Sequence, residues 1–247
     1  MTEVGSPIPP AHTVTVEGYS AQIVDLMSRA MTGESKRPYD ATRRRQRAEQ
    51  ERQATGRRVV DAARTLFLER GYVATTMADV AREAGVALQS VYKVGHSKAD
   101  LLHQVRDVAV AGDDQQVMLL DRPEYAAIRA ETDPRRQVEM FASLIATTME
   151  RLAPVWEAYR EAAAVDAKAA ANLVTTQQRR YHTFANVIGA IPEYRLRHSP
   201  TQATDTAWAI ASPEVYLLLQ SVLDWDADRC AEWLSRTLAD LLLIPEA

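Results

Sequence analysis

Apolar residues recur every three or four positions along most of the chain from about residue 48 onward, which is the period of an amphipathic α-helix. The first such helix places Val59, Ala63, Leu66 and Phe67 on one face, and Gly71 follows as a stop signal. Alternation of apolar and polar residues, the pattern of a half-buried strand, is not sustained anywhere. The sequence therefore predicts an all-α fold.

Two short helices and a longer one follow in close succession. Thr76 and Asp79 have the spacing of a capping box, Gly85 ends the first helix, and residues 87–94 form the second. Ser97 and Asp100 repeat the start signal for the longer helix. Two short helices joined by a tight turn are typical of a helix-turn-helix, whose second helix enters the DNA major groove. Because other helical hairpins share this spacing, a helical hairpin that does not bind DNA remains an alternative interpretation at this point.

The rest of the chain is a series of helices. One begins at Asp133-Pro134, is expected to break at Pro154, and is followed by a short helix and by a long one from Asp166. Three more are predicted near residues 201–211, 213–222 and 227–243. A short amphipathic helix is also possible at residues 18–32, within a Pro-containing N-terminal stretch.

Charge is distributed unevenly along the 247 residues. Residues 36–98 hold 14 Lys or Arg against 7 Asp or Glu, whereas the whole chain has a net charge of −4. A basic segment suits DNA, because neutralising phosphates releases counterions. A solvated helix face would show the same charges, so both interpretations stay open.

Several classes of protein are disfavoured. No apolar run reaches the ~18–20 residues of a membrane span, and the N-terminus lacks the features of a signal peptide. A single cysteine, Cys230, leaves no disulfide pair and no cysteine-based zinc site. We find no nucleotide-binding loop, zinc-protease motif or serine-hydrolase motif, and the histidines lack metal-ligand spacing. We expect a cytoplasmic protein, nucleoid-associated when DNA-bound, that is not an enzyme and needs no cofactor or metal.

The segment GRRVVDAARTLFLERGYVATTMADVAREAGVALQSVY, followed by SKADLL, resembles the TetR family of transcriptional regulators. The resemblance covers about residues 52–105. It implies a three-helix helix-turn-helix DNA-binding domain at residues 43–98 and a helical ligand-binding and dimerisation domain at residues 99–247. Residues 1–42 would be a flexible, basic N-terminal extension that is long for the family. Gly95 departs from the family, which usually has an aromatic or large apolar residue there; we interpret it as a helix C-cap.

The resemblance also implies DNA-contacting residues. The first residues of the recognition helix would face bases, and Thr76, Tyr92 and Lys98 would hold phosphates. The arginines before the first helix would follow the DNA backbone or enter a minor groove. The alternative is that they lie in the solvated first turns of the helix. The DNA-binding set is Arg43, Arg44, Arg45, Arg47, Thr76, Leu88, Gln89, Ser90, Tyr92, Lys93 and Lys98.

The C-terminal half would hold an effector pocket and a dimer interface, although ordinary core is an alternative for each residue. The pocket candidates are Phe141, Leu144, Met149, Trp156, Tyr159, Tyr181 and Phe184. The dimer candidates are Trp208, Tyr216, Trp233, Leu234, Leu238 and Leu241. Arg180 and His182 would either orient an acidic ligand or lie on the surface.

The function implied is that of a homodimeric repressor, released from a pseudo-palindromic double-stranded DNA operator by a small, partly apolar effector. The alternative is a helical protein-binding or scaffold protein with a vestigial helix-turn-helix, supported by the long residue 1–42 extension. A helical enzyme is a third hypothesis, which no motif favours.

Overall fold

The computed structural model describes residues 38–113, 115 and 117–245, so the possible helix at 18–32 and nearly all of the residue 1–42 extension lie outside the described residues. Regular structure within the described part is helical, and its only β-type pairing is an isolated bridge between Leu196 and Leu243. The all-α prediction is confirmed. The helices are α1 Pro38–Ala74, α2 Met77–Ala84, α3 Leu88–Val94, α4 Lys98–Ala111, α5 Pro123–Ala130, α6 Pro134–Val165, α7 Ala167–Ile188, α8 Pro200–Ile210, α9 Pro213–Leu223 and α10 Ala227–Leu242.

Helix α1 begins several residues earlier than the sequence pattern indicates. Residues 42–50 are helical and exposed, so the arginines at 43–47 lie on a solvated helix. Its last turn is interrupted at Gly71, which adopts a φ of 80° and a ψ of 167°. The stop signal at Gly71 therefore marks a real break, after which the chain turns toward α2. From Arg52 onward the chain forms one compact unit.

The helix-turn-helix is built on a small apolar core. Val59, Leu66, Val80, Val91 and Leu101 are fully or almost fully buried and come from α1, α2, α3 and α4. Thr76 caps α2 with the predicted box, and Gly85 ends it in the left-handed region at a φ of 63°. These two signals set the length of α2 and the tight turn to α3.

The 32-residue helix α6 is the centre of the C-terminal half. Helices α4, α7, α9 and α10 all pack on it, and α8 packs on α7 and α10. The break predicted at Pro154 is wrong, because α6 continues through this residue. Pro154 lies on the exposed face of α6, where water can satisfy the carbonyl group that loses its helical donor.

Helix α5 was not predicted from the sequence. Pro123 occupies its first turn, and Tyr125 and Ile128 are buried. With only eight residues, α5 is too short for helical periodicity to distinguish it from a loop. It packs on α6 and α7, so tertiary contacts stabilise it.

Gly95 is the C-cap of α3, and its N–H group donates to the carbonyl oxygen of Val91 at 2.9 Å. Its backbone is extended (φ −130°), so left-handed freedom is not what this position requires. A Cβ atom here would lie 2.6 Å from Cγ of Leu101. The fully buried Leu101 therefore occupies the space next to residue 95, and Val94 packs against the core in a half-buried position.

We predict that Gly95→Ala destabilises the protein by about 1–3 kcal/mol, because Leu101 must shift to admit the new methyl group. Gly56→Ala is the matched control: Gly56 lies within α1, and a methyl group added there would have no atom within 4 Å apart from its chain neighbours and the adjacent helix backbone. Alanine is the better helix former, so this variant should gain up to about 1 kcal/mol. Urea denaturation of both variants is the measurement, and equal stabilities would contradict the steric argument.

Candidate nucleic-acid interface and ligand cavity

Helix α3 presents a solvent-facing row of side chains. Leu88 and Tyr92 are 43% and 46% exposed, Gln89 and Lys93 are exposed, and Ser90 is half-buried. Val91, on the opposite face, is completely buried and anchors the helix to the core. The short helix thus brings together an amide, an ammonium, a phenol and an apolar side chain, groups that read base edges and contact phosphates in a groove.

Thr76 and Lys98 both form hydrogen bonds with other groups of the protein, Thr76 at the surface and Lys98 in a half-buried position. The Thr76 hydroxyl accepts the N–H of Asp79 at 3.1 Å and also contacts the carboxylate of Asp79, which lowers the pKa of Asp79. The Lys98 ammonium donates to the carbonyl oxygens of Tyr72 at 2.8 Å and Thr75 at 3.0 Å. It also lies 4.1 Å from the centre of the Tyr72 ring. Lys98 therefore satisfies carbonyl groups at the end of α1. Phosphate contact by Thr76 or Lys98 stays a prediction.

A polar cluster joins the end of α1 to the C-terminal helices; we call it the Tyr72 cluster, consisting of Tyr72, Lys98, Glu161 and Asp166. The Glu161 carboxylate accepts the N–H groups of Tyr72 at 3.1 Å and of Val73 at 3.4 Å. The Tyr72 hydroxyl donates to Asp166 at 2.6 Å. Asp166 is also the N-cap of α7, where it accepts the N–H groups of Lys168 and Ala169.

Gly71 makes the Tyr72 cluster possible. A Cβ atom at this residue would lie 3.0 Å from an Oε atom of Glu161, and its φ of 80° is unfavourable for a side chain. The hydrogen bond from Tyr72 is the largest cause of the lowered Asp166 pKa, and burial is the largest cause of the raised Tyr72 pKa. The pair is thus held as a carboxylate and a neutral phenol at neutral pH.

A cavity of about 1300 Å³ lies among α1, α4, α6 and α7. Of the predicted pocket residues, Met149, Trp156 and Phe184 line it. The structure places the other four elsewhere. Phe141 is buried against Phe184, with ring centres 4.9 Å apart, and Leu144 packs on the core.

The two remaining pocket candidates are both tyrosines that are absent from the cavity lining and whose hydroxyl groups bond to residues outside it. Tyr159 is fully buried and its hydroxyl bonds with Nδ1 of His103 at 3.0 Å, while burial raises its pKa to about 12. The Tyr181 hydroxyl donates to Asp205 at 2.8 Å. Neither ring therefore forms part of the cavity wall.

The predicted dimer residues divide into two groups. Leu238 is 0% exposed, and Tyr216 and Leu234 are nearly as buried, because they pack inside the chain. These three lie in the core of the chain, and contact with a partner by any of them stays a prediction. Leu241 is exposed, and Trp208 and Trp233 are half-buried. The more exposed apolar side chains of this region, which the sequence pattern did not single out, are Leu218, Val222, Leu223 and Ile244.

With this geometry established, comparison with known proteins assigns the fold. Residues 59–105 match the family model for bacterial regulatory proteins of the tetR family, and this segment contains the helix-turn-helix. The protein has the fold of a TetR-family transcriptional regulator. A search of curated protein sequences finds no match.

The TetR-type fold extends over most of the chain. NalD of Pseudomonas aeruginosa, the secondary repressor of the MexAB-OprM multidrug efflux pump, is 21% identical with a TM-score of 0.57, covering 80% of this chain and all of NalD. A regulator from Saccharomonospora viridis in complex with choline is 17% identical with a TM-score of 0.58, covering 77% of this chain and 98% of its own. The fatty acid degradation regulator FadR of Bacillus halodurans is 13% identical with a TM-score of 0.56, covering 74% and 94%.

Residues that sequence reasoning missed belong to the cavity wall and to the Tyr72 cluster of this TetR-type fold. Gln104 lines the cavity and donates to the carbonyl oxygen of Val94, the last residue of α3, at 2.6 Å. Arg106 and Thr176 also line it. Each stands beside at least one other polar residue in the sequence, so no local signal distinguishes it.

Two negative findings apply to the described residues alone. Within them, no group of three or more His, Cys, Asp or Glu side chains is placed to hold a metal ion. None of the described helices combines the length and apolar content needed to cross a bilayer.

We predict that Tyr72→Phe lowers the free energy of unfolding by about 1–2 kcal/mol at pH 7, because the bond to the Asp166 carboxylate is lost. The folded-state pKa of Asp166 is lowered, so its contribution is present above the ordinary value of 3.8 and is lost as the pH falls through the lowered pKa. The difference between variant and wild type should therefore shrink below about pH 4. Tyr194→Phe, at an exposed tyrosine, should match wild type throughout. Denaturation at pH 3, 5 and 7 is the measurement, and a pH-independent difference would contradict the role of the charged carboxylate.

Proposed function

We propose that the protein is a homodimeric DNA-binding repressor that a small, partly apolar effector releases from a pseudo-palindromic operator. The observation that carries the proposal is the surface of α3, where Gln89, Tyr92 and Lys93 face solvent on a helix anchored by Val91. The match of residues 59–105 to the TetR family supports DNA as the partner. The domain division at residues 43–98 and 99–247 remains part of the proposal.

The proposed contacts follow from side-chain chemistry. Gln89 suits the N6 and N7 positions of adenine, Lys93 suits guanine or a phosphate, and Leu88 suits a thymine methyl group. Ser90 would contact a base edge, whereas Tyr92 and Thr76 would bind phosphates. Lys98 would have to exchange its carbonyl partners for a phosphate, so its support is weaker than that of the α3 residues.

The arginines of α1 extend the proposed DNA contact. Arg43, Arg44, Arg45 and Arg47 occupy closely spaced exposed positions in the helical first turns of α1. A cationic helix of this kind binds the phosphate backbone without reading sequence, because the attraction depends on counterion release.

Dimerisation is supported by the exposed apolar side chains of α9 and α10. Leu218, Val222 and Leu223 are all more than half exposed on α9, and Leu241 is exposed on α10. An apolar surface of this kind is costly in water and is typical of an interface. A second copy of the chain would cover it by two-fold symmetry and place two α3 helices on paired half-sites.

Release by a ligand is supported by two direct connections between the cavity wall and the helix-turn-helix. Gln104 of α4 lines the cavity and holds the end of α3 through the Val94 carbonyl. Helix α7 also lines the cavity, and its N-cap Asp166 holds Tyr72. A ligand that moves α4 or α7 would thus shift the population toward a spacing of the two α3 helices that no longer fits the operator. The choline complex of the Saccharomonospora viridis protein supports small-molecule binding by this fold.

We predict that DNA selected by the protein from a random pool is bound in a salt-dependent complex. Gln89→Ala should relax the base preference at one position of each half-site, with a loss of about 1–3 kcal/mol on the selected DNA. Replacing Arg43, Arg44, Arg45 and Arg47 by Gln should weaken the binding of all DNA sequences alike. It should also reduce the magnitude of the slope of log affinity against log salt concentration by up to about 3–4. Fluorescence anisotropy at several salt concentrations is the measurement.

The control for these DNA-binding variants is Arg160→Gln, an exposed arginine of α6 outside the helix-turn-helix, which should leave affinity and slope unchanged. Absence of any complex at low salt would overturn the proposal and favour the protein-binding alternative.

We predict that Leu218→Glu combined with Val222→Glu converts a dimer into a monomer, because two charges would be buried in the interface. Val174→Glu is the control, since Val174 is similarly exposed but lies on α7. Sedimentation equilibrium measures the outcome. A wild-type monomer, or a double variant that stays dimeric, would contradict the proposed interface.

A further inference from the structure

The large cavity contains an apolar region with cationic groups in its wall. Ile145, Met149 and Trp156 of α6 and Phe184 of α7 lie in its wall but are each at most 4% exposed. Val108, Val110 and Met118 supply more accessible apolar surface. Its volume of about 1300 Å³ exceeds what a drug-sized ligand requires. The chemistry of its ligand therefore depends on the charged side chains of the wall.

Arg180 of α7 is a buried cation in that wall. Its two terminal nitrogens donate to the carbonyl oxygens of Ala211 at 3.1 Å and Trp208 at 2.7 Å, and its Nε–H is buried without an acceptor among the described residues. Burial lowers its pKa to about 10, which leaves it protonated at neutral pH. No carboxylate of the described residues forms a direct ion pair with it, although the charge of Glu214 partly offsets the effect of burial on its pKa. A buried charge without a directly paired counter-ion is unfavourable, so Arg180 is a site where an anion would be stabilised.

Arg106 of α4 is a second buried cation lining the same cavity. It is 8% exposed, and its Nε–H also lacks an acceptor among the described residues. One terminal nitrogen pairs with Asp107, whose side chain is open to solvent. The wall thus holds two buried guanidinium groups, each with an N–H that no described protein atom accepts.

Most of the groups that would bind a cation are already engaged. Of the carboxylates among the described lining residues, Asp113 binds both terminal nitrogens of Arg122 at 2.8 Å, and Asp107 pairs with Arg106. The remaining one, Asp61, is exposed on α1. The Phe184 ring, which could otherwise face a cation, has the Arg180 guanidinium 5.1 Å from its centre.

We propose that the cavity binds an amphipathic carboxylate, whose acid group is held by Arg180, while Arg106 adds a second positive charge to the wall, and whose apolar body lies against the apolar side chains of the wall. The inference rests on the proposed function, since it names the class of effector for the same cavity. A carboxylate would supply the missing acceptor for a guanidinium N–H, and its chain would cover apolar surface.

The test compares ligands that share one chain and differ only in the head group. Titration calorimetry of the full-length protein with decanoate, decan-1-ol and decylammonium, each below its micelle concentration, measures the preference. Decanoate should bind at least about tenfold more tightly than decan-1-ol, and decylammonium most weakly, because the wall is cationic. Equal binding of the acid and the alcohol, tighter binding of the amine, or no binding of decanoate would overturn the proposal.

Variants locate the acid group. Arg180→Met should reduce the preference for decanoate over decan-1-ol at least about fivefold, and Arg106→Met should reduce it to a smaller extent. Arg160→Met, at an exposed α6 arginine outside the cavity lining, is the control and should keep the full preference. Because Arg180 also binds the end of α8, its variant is checked by circular dichroism; if it does not fold, the result for Arg106→Met decides. An unchanged preference in the folded variants would contradict the assignment.

The effector class and the proposed function can fail independently. Anisotropy with selected DNA, in the absence of decanoate, reports on DNA binding alone. DNA binding without a preference for decanoate would overturn the effector class and leave the regulator intact. A preference for decanoate without DNA binding would support the carboxylate site and overturn the proposed function as a DNA-binding regulator.

Discussion

The orientation of the helix-turn-helix depends on how the chain leaves α1. At Gly71 the helical hydrogen bonds stop, and the N–H groups of Tyr72 and Val73 would be unsatisfied without the Glu161 carboxylate. Lys98 satisfies the carbonyl groups of the same turn from the other side. Because both residues act on one turn, the beginning of α4, the end of α6 and the end of α1 are held together. Orphaned polar groups of this kind are costly, which makes the junction specific.

The junction between the helix-turn-helix and the C-terminal helices has an apolar part and a polar part. The core behind α3 is apolar and closely packed, with Val91 and Leu101 fully buried. Helix α4 also packs on α6 and α7, so the two parts of the chain share one apolar core. The end of α1 meets α6 and α7 through the hydrogen bonds of the Tyr72 cluster. Under the proposed function, motion of α7 would change the placement of α3 rather than its internal structure, because apolar packing resists small displacements.

Arg180 in the cavity wall is also held by polar contacts within the protein. Arg180, which packs against two aromatic rings and binds two carbonyl oxygens, is well positioned but forms no direct ion pair with a described carboxylate. The end of α8 benefits from this cation, since carbonyl groups at a helix C-terminus carry partial negative charge. Arg180 thus has a structural role in the free protein as well as the proposed role toward a ligand.

Local signals in the sequence were enough to predict the all-α class, the cap at Thr76, the turn at Gly85 and the segment that matches the TetR family, because each depends on residues within one or two helical turns. The exposed side chains of α3 were found for the same reason. Tertiary structure decided the rest. The burial of Leu238, the bond between Tyr159 and His103, and the contact of Lys98 with the end of α1 all depend on which helices meet. Helical periodicity specifies an apolar face but not its partner, so these assignments needed the packed structure.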